Sequence, residues 1–268
     1  MHEVEPKVFL IGETKIRQGQ LSAYLAHIGA EDWTTDAFSD GEALVEFMGR
    51  LCYRSFKPGM NPNVTKVREG SEAYLSNIIG VGHGSVLEHV QLNFVFADVS
   101  RVFTHELVRH RVGTAFSQES LRFVRLNDLG LWLPEEIEAD PVLKAMFEKT
   151  FESLEDLQNQ MSDHLKLDEE KNFGRKKKFT SAMRRIAPIG LSTTIGCSMN
   201  IRTLRHLIFM RTSRHAEVEI RVVFDMVARI CKGNYPNLFA DFEQSVGDDG
   251  QPLLIDGAYE WTTPHIKV

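Results

Sequence analysis

Cysteine is scarce in this chain: three among 268 residues, at Cys52, Cys197 and Cys231, far apart and with no CxxC pair. That argues against a zinc site or a disulfide framework and fits a reducing compartment. No long uncharged apolar run is present, so no membrane span is expected. The start, Met1-His2-Glu3-Val4-Glu5, is acidic and lacks a signal-peptide layout, so a cytoplasmic location is expected. There is no basic excess either: 31 Lys and Arg face 37 Asp and Glu, and the net charge of −6 argues against a general nucleic-acid binder. Internal repeats and linker-like stretches are also missing, so one domain over residues 1–268 is expected, with a Gly/Asp/Pro-rich tail that is irregular from about residue 247. At 43% hydrophobic and 25% charged residues, the composition is that of a globular protein with one substantial core.

Lysine is absent from Val67 to Leu143 and again from Phe179 to Cys231. Those windows hold Arg101, Arg109, Arg111, Arg122, Arg125, Arg184, Arg185, Arg202, Arg205, Arg211, Arg214 and Arg221. Arginine offers a rigid fork to phosphate and stacks on planar rings, which points to a nucleotide-like anion. Hydrophobic periodicity predicts a buried strand at Val8 to Ile11, helices from Ser39 and over Ser71 to Ile79, and a strand over Gln91 to Phe96. It also predicts helix from Pro134 to Lys166, a solvated basic connector over Lys171 to Lys178, and one long helix from about Thr203 to Cys231. Strands mixed irregularly with long helices give the fold class: α+β, a mainly antiparallel sheet flanked by long helices.

The richest segment runs from Arg109 to Arg122. Ser100 is placed to cap a helix that reaches about Arg111 and stops at Gly113. Arg109-His110-Arg111 alone fits cations offsetting a helix dipole in its last turn. The residues after it add more: in an extended strand Gln118, Ser120 and Arg122 share one face, opposite Glu119, Leu121 and Phe123. An amide, a hydroxyl and a fork on one face suit a base edge and a phosphate. Gly80-Val81-Gly82-His83-Gly84 is not a dinucleotide loop, because Ser85 stands where the pattern needs glycine and the following residues read as strand. His83, Glu88 and His89 lack the spacing of a metal motif, so no metal site is expected. Arg211, His215 and Glu219, spaced i, i+4, i+8, form one stripe of the long helix, a pattern that also fits a surface ion-pair ladder.

Arg-His-Arg, a short spacer and Ser120-Leu121-Arg122 resemble the signature of the flavin-dependent thymidylate synthases. So do His83-Gly84-Ser85-Val86-Leu87-Glu88-His89 upstream, Arg184 with Pro188, and Asn200-x-Arg202 with Arg205-His206 followed by Met210-Arg211-x-Ser213-x-His215-Ala216-x-x-Glu219. The resemblance implies a homotetramer with sites shared between subunits. It implies FAD and NADPH as cofactors, methylenetetrahydrofolate as carbon donor and dUMP as substrate. It places His83, Ser85, Glu88, Arg101, Arg109, His110, Arg111, Ser117, Asn200, Arg202, His206 and His215 at the flavin. Glu106, Gln118, Ser120, Arg122, Arg184 and Arg211 fall at the nucleotide, and Arg211, Ser120 and Arg122 form the catalytic group.

These residue types suit that chemistry. Uracil C5 is a poor nucleophile, and no cysteine here sits in a recognisable nucleophile setting. A guanidinium near the ring's N3 or O4, assigned to Arg211, stabilises negative charge there and raises electron density at C5. Ser120 has no adjacent base in sequence, so it is assigned to positioning. Three departures stand out: Val112 to Glu119 makes the spacer one residue longer than the family's seven, Glu119 replaces a commonly apolar residue, and Met183 and Ala187 depart from the segment around Arg184. The spacer leaves UMP, or another uridine nucleotide, open as an alternative substrate. A non-catalytic nucleotide-binding protein is the alternative from another class.

Overall fold

The computed structural model describes residues 1–122, 126 and 128–268; Phe123 and Arg125, named above, lie outside the described residues. A two-residue strand β1 (His2–Glu3) pairs in parallel with β5 (Gly130–Leu131). The principal sheet is antiparallel, in the order β2-β3-β6-β4, from β2 (Lys7–Glu13), β3 (Gln91–Ser100), β4 (Thr114–Gln118) and β6 (Ser192–Asn200). Register aligns Leu10, Phe94, Cys197 and Phe116 in one row across the sheet, and Phe9, Val95, Gly196 and Ser117 in the next, facing the other way.

The first of these rows faces the main core. Phe94, Phe96, Ile195 and Met199 pack there with residues of α4 (Arg101–Leu107), α8 (Ile201–Arg211) and α9 (Val218–Asn234). Two earlier helices, α2 (Asp40–Tyr53) and α3 (Ser71–Gly80), follow α1 (Gln18–His27). Val45 and Ile78 carry α2 and α3 into the same core. Val8 to Ile11, read from sequence as a buried strand, is instead part of the sheet's edge strand. Its residues alternate, and Phe9 and Ile11 are 49% and 67% exposed because nothing among the described residues covers that face.

Four other expectations are corrected. The helix after Ser100 is capped as expected, Ser100 Oγ accepting from Phe103 N, but it ends at Leu107 rather than Arg111. The Pro134 to Lys166 helix breaks into α5 (Glu135–Glu138) and α6 (Pro141–His164), where Asp140 caps the second. The basic connector is helical, α7 (Phe173–Met183), started by Asn172 Oδ1 accepting from Arg175 N. The long helix is two helices. Thr212 turns its hydroxyl back onto Ile208 O, and Glu217 caps α9 by accepting from Glu219 N and Ile220 N. The tail forms short strands, with β7 (Glu243–Gln244) paired to β10 (Trp261–Thr262) and β8 (Leu254–Ile255) to β9 (Ala258–Tyr259). Its Trp261 and Val268 enter the main core.

Candidate active site

Antiparallel pairing of β4 with β6 brings the Arg-His-Arg segment to the start of α8. Asn200 N donates to Gly113 O, and Thr203 Oγ1 donates to Val112 O. Gly113 has φ +70°, and a Cβ there would lie 2.4 Å from both Asn200 Nδ2 and Thr203 Oγ1, so only glycine makes this close crossing. The turn is closed by Thr114 Oγ1 donating to His110 O. Arg109, His110 and Arg111 therefore sit in a turn beyond the helix. With Glu88, Asn200, Arg202, Thr203 and His206 they line an open cleft of about 340 Å³. Seven residues expected at the flavin are gathered here: Glu88, Arg109, His110, Arg111, Asn200, Arg202 and His206.

Within the cleft Arg202 Nη1 pairs with Glu88 Oε1 at 2.6 Å, both half exposed. Asn200 Oδ1 is committed to capping α8, accepting from Thr203 N at 2.8 Å. Gly84 lies beneath the Arg202 stem, a Cβ there falling 2.9 Å from Nε. The short 3-10 segment Gly84–His89 replaces the strand expected after His83. His83 keeps Nδ1 buried with no hydrogen-bond partner while its ring meets Tyr53 edge-on. The guanidiniums of Arg109, Arg111 and Arg202 and the imidazoles of His110 and His206 around the cleft fit a planar, hydrogen-bonding, anionic cofactor. Ser85 is exposed on the same segment.

Arg211 is the hub between this cleft and the next. Its Nε donates to His110 Nε2 at 2.8 Å, Nη1 to Glu106 Oε2 at 2.8 Å and Nη2 to Glu106 O at 3.3 Å. Among the described residues three of its five N–H groups are so used, and two remain. Burial first, then the charges of Arg211 and His206, push His110 down to about 4. The ring is thus neutral near pH 7 and its Nε2 accepts from Arg211. Arg211 also lines a second cleft with Ser213, His215 and Trp261. His215 is exposed at its edge, and the expected Arg211–His215–Glu219 stripe does not exist, because the helix breaks between them. Glu219 is instead buried and accepts from the amide and hydroxyl of Ser100, at the cap of α4.

The nucleotide-type residues form other groups. Strand β4 stops at Gln118, so Gln118, Ser120 and Arg122 do not share an extended face. Gln118 Nε2 donates to Thr104 Oγ1, and Ser120 Oγ accepts from Arg122 N, folding the chain into a turn. Ser117 lies on the outer face of the sheet, in the row of Phe9. Arg101 is partly buried and its guanidinium is made less basic, by burial first and then by the like charge of Arg184. Both are forked cations of a kind that suits an anionic group. Arg122 lines a third cleft, against α7. Glu119 turns away onto β6, its Oε2 accepting from Thr194 N at 3.0 Å, which accounts for its place in the sequence.

Some arginines of the lysine-free windows are structural. Arg205 is buried on Asp241, Leu238 O and Val268 O, and Arg221 pairs with Asp256. Thr203, which fixes Val112, was missed from sequence, although its place three residues after the Asn200 cap marked it.

A sequence model of the family described as thymidylate synthase complementing protein matches residues 35–237. The flavin-dependent thymidylate synthase of Corynebacterium diphtheriae is 38% identical over 240 residues, covering 88% of this chain and 90% of that protein. That of Mycobacteroides abscessus is 39% identical over 240 residues, covering 84% and 91%. Thymidylate synthase X from Helicobacter pylori, solved with FAD and dUMP, has the same fold at a TM-score of 0.58 and 20% identity, covering 88% of this chain and 98% of that one. The UMP/dUMP methylase PolB from Streptomyces cacaoi, bound with 5-Br dUMP, aligns at a TM-score of 0.59 and 14% identity, covering 90% and 96%. With the motifs gathered as described and most of its length matched, the chain belongs to the family of flavin-dependent thymidylate synthases.

Proposed function

We propose that this protein converts dUMP to dTMP, with methylenetetrahydrofolate as carbon donor, FAD as resident cofactor and NADPH as reductant, and without a cysteine nucleophile. The observation that carries the reading is Arg211: a guanidinium fixed on Glu106 and His110, with two N–H groups left. A cation held before substrate arrives costs no reorganisation when negative charge develops on a pyrimidine ring. Neutral His110 completes the hold, because a protonated imidazole would repel Arg211 rather than accept its hydrogen bond.

Glu88, Arg109, His110, Arg111, Asn200, Arg202 and His206 are the residues assigned to hold FAD, with His83, Ser85, Arg101, Ser117 and His215 assigned nearby. When bound, FAD supplies hydride chemistry that side chains lack. Arg122 and Arg184 are assigned to the nucleotide phosphate, which Arg101 suits as well as a flavin phosphate, and Gln118 and Ser120 to the nucleotide's sugar, phosphate or base edge. Ser120 acts by positioning, since its oxygen already holds the Arg122 turn. Two of the three thiols support the cysteine-free reading: burial pushes Cys197 up to about 12 and raises Cys231 further, which leaves neither as a thiolate at neutral pH. Arg122 and Arg211 line different clefts of one chain, which supports sites completed between subunits of a homotetramer. We place the enzyme in the cytoplasm; among the described residues no helix is long and apolar enough to cross a membrane.

Mass spectrometry of the nucleotide product tests the assignment. Protein is incubated with FAD, NADPH, methylenetetrahydrofolate and an equal mixture of dUMP and UMP. Methylated dUMP is the expected product. Methylated UMP would support the second reading, which the longer spacer at Gly113 favours. Bound flavin without methylated product would likewise point to a different activity, and absence of flavin binding on titration would support a non-catalytic nucleotide-binding role instead.

A further inference from the structure

We propose that the open cleft between the Arg122 turn and α7 is a subsite for a chain of carboxylates, the γ-linked oligoglutamate tail of the folate co-substrate. The proposal rests on the folate-dependent reading above. The cleft holds about 430 Å³ and is lined by Arg122, Lys177, Lys178, Ser181 and Arg185, with no carboxylate among the described residues of its wall. Lys178, Ser181 and Arg185 follow at helical spacing, so they lie along one side of the α7 axis and its continuation. Thr180 Oγ1 donates to Arg122 O at 3.0 Å, which ties the helix to the turn and faces Arg122 toward this row.

The chemistry of the row differs from that of the nucleotide groups. Arginine forks hold those sites, and lysine is absent from Val67 to Leu143 and from Phe179 to Cys231. The cleft wall instead uses two lysines, which are point charges on flexible stems. Such charges hold a flexible string of carboxylates in more than one register, whereas a fork selects one phosphate geometry. A nucleotide monophosphate offers a single dianion, already matched by the arginines assigned to it, Arg122 at the edge of this cleft among them. A cleft that adds Lys177, Lys178 and Arg185 matches an anion with several separated charges. Its openness to solvent fits an extended arm that takes no part in the chemistry.

The test titrates holoenzyme with folic acid and with its pentaglutamate form, and measures KM for methylenetetrahydrofolate carrying one or five glutamates. Exposed ion pairs contribute about twofold each, so three or four pairs should favour the longer tail roughly tenfold, less at high salt. The Lys178→Ala, Arg185→Ala double variant should lose that preference, with KM for dUMP unchanged. Neither side chain is buried, so the fold should persist. Equal affinity for the two folates in the unaltered protein, or a preference kept in the variant, overturns the proposal. A raised KM for dUMP with the folate preference intact assigns the cleft to the nucleotide phosphate and also overturns it. Tighter binding of the pentaglutamate in a protein that makes no dTMP supports the subsite and overturns the functional reading alone.

Discussion

Replacing Glu219 by glutamine isolates one buried charge. Glu219 is 1% exposed and accepts from the amide and hydroxyl of Ser100, joining the start of α9 to the cap of α4, the helix that carries Arg101 and Glu106. Burial dominates and pushes its carboxyl from the usual 4.5 up to about 7, against the lowering effect of the Ser100 bonds. The folded protein therefore holds this proton more tightly than the unfolded chain does. The stability contributed by the neutral carboxyl is full below about 4.5 and is lost as pH rises through about 7. A difference of that size is worth about 3 kcal/mol. Glutamine keeps the shape and one acceptor for Ser100 N–H but never ionises. Between pH 5 and pH 8 the unfolding free energy of Glu219→Gln, relative to the unaltered protein, should rise by about 3 kcal/mol. At pH 5 the variant should lie within about 1 kcal/mol of it, the scale of one altered hydrogen bond. Urea unfolding at one protein concentration, repeated across this pH range, reads the difference without confusing it with subunit association. Parallel stability curves for the two proteins would refute the reasoning, because they would mean that Glu219 ionises like a solvated carboxylate.

Other consequences are as direct. Gly113→Ala should lower stability by about 1–3 kcal/mol and weaken flavin binding, because the new Cβ meets Asn200 and Thr203 at a positive φ; unchanged melting and unchanged flavin titration would contradict the crossing described. In a proton NMR titration His110 should stay neutral down to about 4, and Arg211→Ala should recover only part of the gap to 6.5, since burial is the larger cause; titration near 6.5 in the unaltered protein would remove the neutral acceptor from the site. Arg211→Lys keeps the charge but loses the fork, so kcat should fall by about 10²-fold with FAD still bound; near-full activity would take Arg211 out of the chemistry. Replacing Cys52, Cys197 and Cys231 by alanine should leave methylation in place, and its loss in a variant that still folds and binds flavin would restore a cysteine mechanism.

The gathering of the flavin-type residues was legible because two short motifs flank one pair of strands. Arg109 to Arg111 precede β4, Asn200 to His206 follow β6, and antiparallel pairing brings those ends together through Asn200 and Gly113. Side-chain purpose was less legible. Arg205 and Arg221 read like their neighbours but are consumed by Asp241 and Asp256, partners that lie beyond α9 and cannot be paired by spacing. Glu219 looked like the third rung of a stripe because periodicity passes unbroken through Thr212 to Glu217. What breaks it is a threonine hydroxyl returned to its own helix and a glutamate acting as cap, both ordinary side chains until the fold gives them partners.

The basic run at Lys171 to Lys178 failed as a loop for the opposite reason. Like charges at i, i+4 do oppose an isolated helix. Here Asn172 caps the first turn and Thr180 fastens the helix to the Arg122 turn, so α7 forms with its cations aligned instead of dispersed. Carboxylates that pair with Lys178 and Arg185 bind the folded chain and not the unfolded one, so binding at the α7 cleft should also raise the protein's melting temperature, and more for five glutamates than for one. A stabilisation that ignored tail length would mean that the aligned charges of α7 are merely solvated.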